Sequence, residues 1–323
     1  MKMITISACM IVKNEEKVLE RCLKSLHNLV DELIVVDTGS TDHTKEIARK
    51  YTENVYDYQW NDDFAEARNV SFSYATKEYI YVADADEVID EENQRRFLKM
   101  KQTLLPEIEI VQMYYSNQKK FNTVYNFDME YRPKLYRRLR TFQWNSAIHE
   151  SVRLEPIIWD SDIVILHMPE GNHGKRDFRI YKNLVNKEKI LSKKLTMMYA
   201  RELFIAGENA DFLEALAYFE KLYHSSCDHD TFQYAECVCA RAYRVSRREK
   251  DFWKVCLKHV ASGEAVSEIC CEIGHYYKGE KEYEEAMLWY DCAKNESEPI
   301  LDLRTKEEFP EICLQECRKI IEN

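Results

Sequence analysis

The chain has 323 residues and a formal net charge of −11. That charge argues against a broad phosphate-binding surface for nucleic acid, and the length allows one large domain or two modest ones. No apolar run approaches the roughly 18–20 residues needed to cross a bilayer, and only 7 glycines are present, with no GxGxxG after a strand and no GxxxxGK[ST], which disfavours a Rossmann dinucleotide site and a P-loop.

Residues 4–12 are an apolar, β-branched run that reads as a first strand rather than a signal peptide. Residues 15–29 have helical spacing, with Val18, Leu19, Cys22, Leu23 and Leu26 on one face. A short strand over 32–36 follows, then Ser40, Thr41 and Asp42 as caps for a helix to about residue 51. A strand over 55–60, a helix over 64–74 and a strand over 79–83 complete the alternation. Strands alternating with helices predict an α/β domain with a mixed, mainly parallel sheet, and ligands in such sheets sit at the carboxyl ends of the strands. Asp37, Asp84 and Asp86 all lie where an apolar strand stops.

Residues 108–167 are rich in Tyr, Arg and β-branched types, with little helical period. They read as mixed or antiparallel strands and loops covering one end of the sheet, the last strand ending in His167. From about residue 175 the pattern turns helical and repeats. Phe212, Ala215 and Phe219 recur as Tyr283, Ala286 and Tyr290, with a weaker middle copy at Phe252, Val255 and His259. Small and aromatic residues at these places fit the tetratricopeptide pattern and predict three stacked helical hairpins. The expected boundaries are a catalytic domain at 1–175, a helical linker at 176–198 and an all-α repeat domain at 199–323. The 11 cysteines are odd in number and scattered, and lack zinc-ligand spacing, which suits a reducing cytoplasm better than a disulfide scaffold.

The stretch YIYVADADEVID poses the chemical question. Asp84, Asp86 and Glu87 crowd negative charge at a strand end, where like charges raise one another's pKa unless something positive lies between them. A divalent cation is the sharper answer, a strand end turned into water the plainer one. Mg²⁺ or Mn²⁺ takes few protein carboxylates and fills its other positions with water and phosphate oxygens.

Taken together, ACMIVKNEE at 8–16, VVDTGSTD at 35–42, FAEARN at 64–69 and YVADAD at 81–86 resemble, in order and spacing, the family 2 glycosyltransferases of the GT-A fold. WNSAIHESV at 144–152, the late strand ending in His and the helical tail resemble one branch, the bacterial peptide glycosyltransferases typified by the sublancin S-glycosyltransferase. The resemblance covers about the first 175 residues. It implies a metal-dependent, inverting transfer of a sugar from a nucleotide-sugar donor, expected to be a UDP-hexose, to a peptide, protein or saccharide acceptor. It also implies roles. Asp37 would contact the base or ribose, backbone at Val12 and Asn14 would line the base pocket, and Arg68 would close over the nucleotide. Asp84 would reach the ribose or the metal's waters, Asp86 would bind Mn²⁺ or Mg²⁺ directly, and His167 would complete the metal site. Glu150, beside His149, is the candidate base. The chain departs from the branch at Asn145–Ser146–Ala147, where a glycine is usual, and at Met168–Pro169, where a glycine-tyrosine step is usual. The repeats are expected to dock an acceptor, act as a scaffold or form a homodimer. A non-catalytic partner-binding adaptor is the alternative from another class.

Overall fold

The computed structural model describes residues 3–117, 129–139, 144–145, 151–152, 155–168, 174–188, 190–226, 228–263 and 266–322. The chain divides into two compact units, Met1–Gly171 and Asn172–Asn323. No helix among the described residues is long and apolar enough to cross a membrane.

In chain order the first unit contains β1 (Ile6–Val12), α1 (Leu19–Leu26), β2 (Glu32–Asp37), α2 (Thr44–Arg49), β3 (Val55–Asp57), α3 (Phe64–Ser73), β4 (Tyr79–Val82), β5 (Glu87–Val88), α4 (Glu91–Thr103), β6 (Ile110–Asn117), β7 (Met129–Arg137), β8 (Trp144–Asn145), β9 (Ser151–Val152) and β10 (Ile158–His167). Eight strands form one sheet in the order β3-β2-β1-β4-β7-β6-β10-β5, and β8 pairs with β9 apart from it. The first four are parallel neighbours, while β7 runs antiparallel between β4 and β6, and β10 lies parallel to β6. The sheet is therefore mixed and mainly parallel, a GT-A-like arrangement.

Burial on both faces explains the continuous apolar run of β1. Ile6, Ala8, Met10 and Val12 pack into the larger core with Leu19, Leu23 and Leu26 of α1 and with Phe97 of α4. Cys9 faces the opposite side with Ile34, Val36 and Ile80. Burial pushes the Cys9 thiol up to about 12, so it packs as a small apolar group.

Residues 108–167 contain the mixed and antiparallel strands expected of them, and among the described residues β6, β7 and β10 continue the sheet beyond β4. The physical reason is alternation. Val111, Met113 and Tyr115 are buried at every second position of β6, and Ser161, Ile163, Ile165 and His167 repeat this along β10, the period of a strand with one face on a core. The helix α4 adds a layer absent from the sequence reading. It starts at Asp90, whose side chain accepts the Asn93 N–H.

The second unit is all helical: α5 (Gly174–Glu188), α6 (Lys193–Ala206), α7 (Asn209–Ser225), α8 (His229–Val245), α9 (Glu249–Ser262), α10 (Ser267–Gly279), α11 (Tyr283–Asn295), α12 (Arg304–Glu307) and α13 (Phe309–Ile321). The repeat seen in sequence becomes three helical hairpins, α6–α7, α8–α9 and α10–α11. Phe212, Ala215, Phe219, Phe252, Val255, His259, Ala286 and Tyr290 are all buried. The small-plus-aromatic logic is visible at Gly274 of α10, where an added Cβ would lie 2.6 Å from the Tyr290 ring of α11. That ring is pinned, because the Tyr290 hydroxyl lies 2.7 Å from His275 Nδ1.

Two consequences are measurable. Gly274→Ala should lower the thermal midpoint even though alanine is the better helix former by about 1 kcal/mol, since overpacking a core costs about 1–3 kcal/mol. An unchanged or raised midpoint would show that the hairpin opens freely. The second concerns pH. Burial pushes His275 down from 6.5 to about 4, against the pull of Glu272. A folded-state pKa below the unfolded one stabilises fully above about 6.5 and is lost as pH falls towards 4. The midpoint of the chain, compared with that of His275→Gln, should therefore fall progressively over this window.

Candidate active site

The carboxyl ends of β1, β2 and β4 lie side by side, with β1 in the middle. Val12 ends β1 directly opposite Asp37, the last residue of β2. The loops that follow are sewn together. Thr38 donates its N–H and its hydroxyl to the Val12 carbonyl, at 2.9 and 3.1 Å. Asn14, in the left-handed region with φ of 57°, donates its N–H to the Ser40 hydroxyl and accepts the Thr41 N–H on its side-chain oxygen. Asp42 accepts the Thr44 N–H and hydroxyl just before α2, while the N-cap position itself is His43, whose side chain makes no capping bond.

Asp37 is fully buried. Its Oδ1 accepts the N–H groups of Gly39 and Ser40 at 3.0 and 2.8 Å. Gly39 sits at φ of 101°, which a side chain rarely adopts. The second oxygen, Asp37 Oδ2, is buried and accepts nothing. A buried carboxylate oxygen without a donor is costly, and among the described residues none supplies one to this atom.

Arg68 of α3 and the acidic turn form the other half. Arg68 Nη2 lies 3.2 Å from Asp84 Oδ1, while Arg68 Nη1 is buried and donates to nothing. Lys134 enters from β7, its Nζ 2.8 Å from both oxygens of the buried Glu87 and 4.0 Å from Asp84 Oδ2. Glu87 Oε2 also accepts the Asp84 N–H. Burial pushes the Glu87 carboxyl up to about 7, and the Lys134 ammonium limits the rise. Burial acts in the same direction on Asp84, but there Lys134 and Arg68 outweigh it and hold its carboxyl below the usual range. Asp86 turns the other way, its Oδ2 2.9 Å from His167 Nε2 at the end of β10. The His167 ring lies 5.1 Å from that of Tyr115, over which the Arg132 guanidinium sits at 3.8 Å.

The candidate residues thus separate into three contacts: Val12, Asn14 and Asp37 in the sewn loops, Arg68 with Asp84, and Asp86 with His167. Asp84 pairs with Arg68 and faces Lys134, whereas Asp86 pairs with His167. Among the described residues no three His, Cys, Asp or Glu side chains are grouped to hold a metal. What fits an ion is the pair Asp86–His167. Ligands at about 2.0–2.1 Å in adjacent octahedral positions lie about 2.9 Å apart, the separation observed, so an ion can replace the shared proton between these groups. Its remaining positions are left for water and phosphate oxygens. Glu150 and His149 lie outside the described residues. Trp60 packs on Phe64 at 4.7 Å and donates to Asp62, which favours a structural role over stacking on a sugar. The sequence reading missed Lys134. It stands between Pro133 and Leu135 in a strand of mixed charged, aromatic and apolar residues, so no apolar alternation marks the position as inward-facing.

Because the turn carries its own cations, it should fold without metal. EDTA should shift the thermal midpoint of the chain as purified by less than about 2 °C, under about 1 kcal/mol for a domain of this size. A large EDTA-induced loss would mean that an ion is structural here.

Residues 7–153 match the model of Glycosyl transferase family 2. Among curated proteins, a TPR repeat-containing protein of Synechococcus elongatus is 48% identical over 85 residues, which is 26% of this chain and 21% of that protein. The SPbeta prophage-derived glycosyltransferase SunS of Bacillus subtilis is 38% identical over 102 residues, 31% of this chain and 24% of SunS. Each match thus spans about a quarter or less of the relative's own length. Among solved structures, glucosyl-3-phosphoglycerate synthase from Mycobacterium tuberculosis, in complex with Mn²⁺, UDP and glucosyl-3-phosphoglycerate, is 17% identical with a TM-score of 0.40, covering 59% of this chain and 82% of that one. Residues 7–153, most of the first unit and the stretch that holds the strand-end aspartates, are thus similar to Glycosyl transferase family 2.

Proposed function

We propose that the chain transfers a sugar from a nucleoside-diphosphate donor, a UDP-hexose, to an acceptor nucleophile. The observation that carries this is the pair of buried orphan atoms, the acceptor Asp37 Oδ2 and the donor Arg68 Nη1. Asp37 ends β2, and Arg68 lies on α3, the helix that packs on β1 and β2. Asp37 takes a ring N–H of the base, and Arg68 takes a phosphate oxygen. Uracil, thymine and guanine offer a ring N–H, whereas cytosine presents an acceptor at N3 and repels the carboxylate.

Asp86 and His167 would hold a divalent cation that neutralises the diphosphate as it leaves. The acceptor's lone pair forms the new bond to the anomeric carbon from the face opposite the diphosphate. The carbon–oxygen bond to the diphosphate breaks and its electron pair leaves with the diphosphate, inverting the centre. The acceptor's proton goes to a base, for which Glu150 is our candidate by its place in WNSAIHESV. A polypeptide acceptor is favoured, because helical hairpins in series offer an extended surface.

The test is thermal shift with UDP, GDP, CDP and TDP, each with and without Mn²⁺. A ligand that binds only the folded state adds about 2.7 kcal/mol at a hundredfold excess over Kd. We expect a Mn²⁺-dependent rise with UDP, little with CDP, and loss of the Mn²⁺ dependence in Asp86→Ala. A rise with GDP in place of UDP would change the donor. No rise with any nucleotide at millimolar concentration would overturn the reading in favour of a partner-binding protein.

A further inference from the structure

The acidic turn between β4 and β5 is held by a group that neither its own sequence nor the metal chemistry supplies. Lys134 lies on β7, one residue before Leu135, the cross-strand partner of Tyr81 in β4. Its side chain is almost fully buried. An ammonium has three N–H donors and no acceptor. Two of them reach Glu87 Oε1 and Oε2, both at 2.8 Å, and the charge faces Asp84 Oδ2 at 4.0 Å.

Glu87 passes this anchoring on in two directions. Its Oε2 accepts the Asp84 N–H, closing the turn from one end. Its backbone is the ladder partner of His167 across β5 and β10. The Asp86 carbonyl then accepts the Met168 N–H, which closes the turn from the other end. One lysine therefore ties together the backbone of Asp84, the backbone that carries His167 and the turn that carries Asp86, without touching the space where a donor would lie.

We propose that Lys134, acting through Glu87, is a positioning residue that sets the Asp86–His167 separation for a divalent cation; this rests on the donor and metal reading above. The lysine neutralises Glu87, so Asp86 does not face a free like charge one residue away. It also holds Asp84 back with Arg68, which keeps that carboxylate from collapsing onto the ion. An arginine cannot take its place, because a planar fork needs more room than the point charge that fits between Glu87 and Asp84.

The experiment uses the full chain, with UDP at fixed concentration, Mn²⁺ titrated and the midpoint of unfolding read. The variants are Lys134→Met, Lys134→Arg and the double variant Lys134→Met with Glu87→Gln. Second-layer partners of metal ligands typically change metal affinity by about 10–100-fold. We expect the Mn²⁺ concentration for half-maximal stabilisation to rise about tenfold or more in every variant that folds. The double variant has no unpaired buried charge, so it should recover most of the unfolding midpoint in metal-free buffer while keeping the raised Mn²⁺ requirement. Recovery of both would make the pair merely structural and overturn the proposal. So would a Mn²⁺ requirement within twofold of wild type in the double variant, should the single variants fail to fold. A wild-type chain with no Mn²⁺-dependent response to UDP would overturn the donor and metal reading, and this proposal with it.

Discussion

Three carboxylates within four consecutive positions, Asp84, Asp86 and Glu87, set the constraint on which the first unit depends. At the end of a buried strand their mutual repulsion would drive the turn into water. The fold answers with Lys134 from β7 and Arg68 from α3, each brought in from a distant part of the sequence. Removing one partner of the buried Lys134–Glu87 pair costs about 3–5 kcal/mol, because the other charge is left alone. The continuation of the sheet past β4 has this purpose among others: without β7 beside β4, no cation would reach Glu87. The protein thus balances its own acid cluster and leaves Asp86 for outside chemistry.

A second constraint operates on the other side of β1. The loops after β1 and β2 carry many backbone N–H groups, and nearly every nearby hydroxyl, amide and carboxylate is used to tie one loop to the other. Asn14 and Gly39 provide the left-handed backbone that the sharp turns need. Against that saturated background the unpartnered Asp37 Oδ2 stands out. Among the described residues, Oδ1 accepts two N–H groups while the buried Oδ2 accepts none. The rigid loops hold that acceptor in position before any ligand arrives, which lowers the ordering cost of binding.

The helical unit rests on a different principle. It buries aromatic rings against small residues, and the Gly274–Tyr290 contact allows no added methyl group. Its buried charges are also paired within the unit. Glu272 meets Arg244 at 2.5 Å, and the Glu268 carboxylate accepts the N–H groups of Ile300, Leu301 and Asp302. The first contact joins α10 to α8, and the second set fixes the segment after α11 onto α10.

Much of this was legible in the sequence alone. The alternation of strands and helices through residue 83 determined the parallel half of the sheet, because apolar runs and caps are local signals. The three hairpins were legible for the same reason, since each copy repeats the same small and aromatic residues. The strand-end aspartates Asp37, Asp84 and Asp86 were found because a charge that stops an apolar run is conspicuous in one dimension. Tertiary structure alone decided that residues 108–167 join the sheet, because strand pairing partners lie far apart in the chain. It alone gave Asp84 the partner Arg68 and Asp86 the partner His167. It alone revealed Lys134, whose sequence neighbours give no hint that it is buried. A local pattern records what a residue is, whereas the partner that neutralises a buried charge is chosen by the folding of the whole sheet.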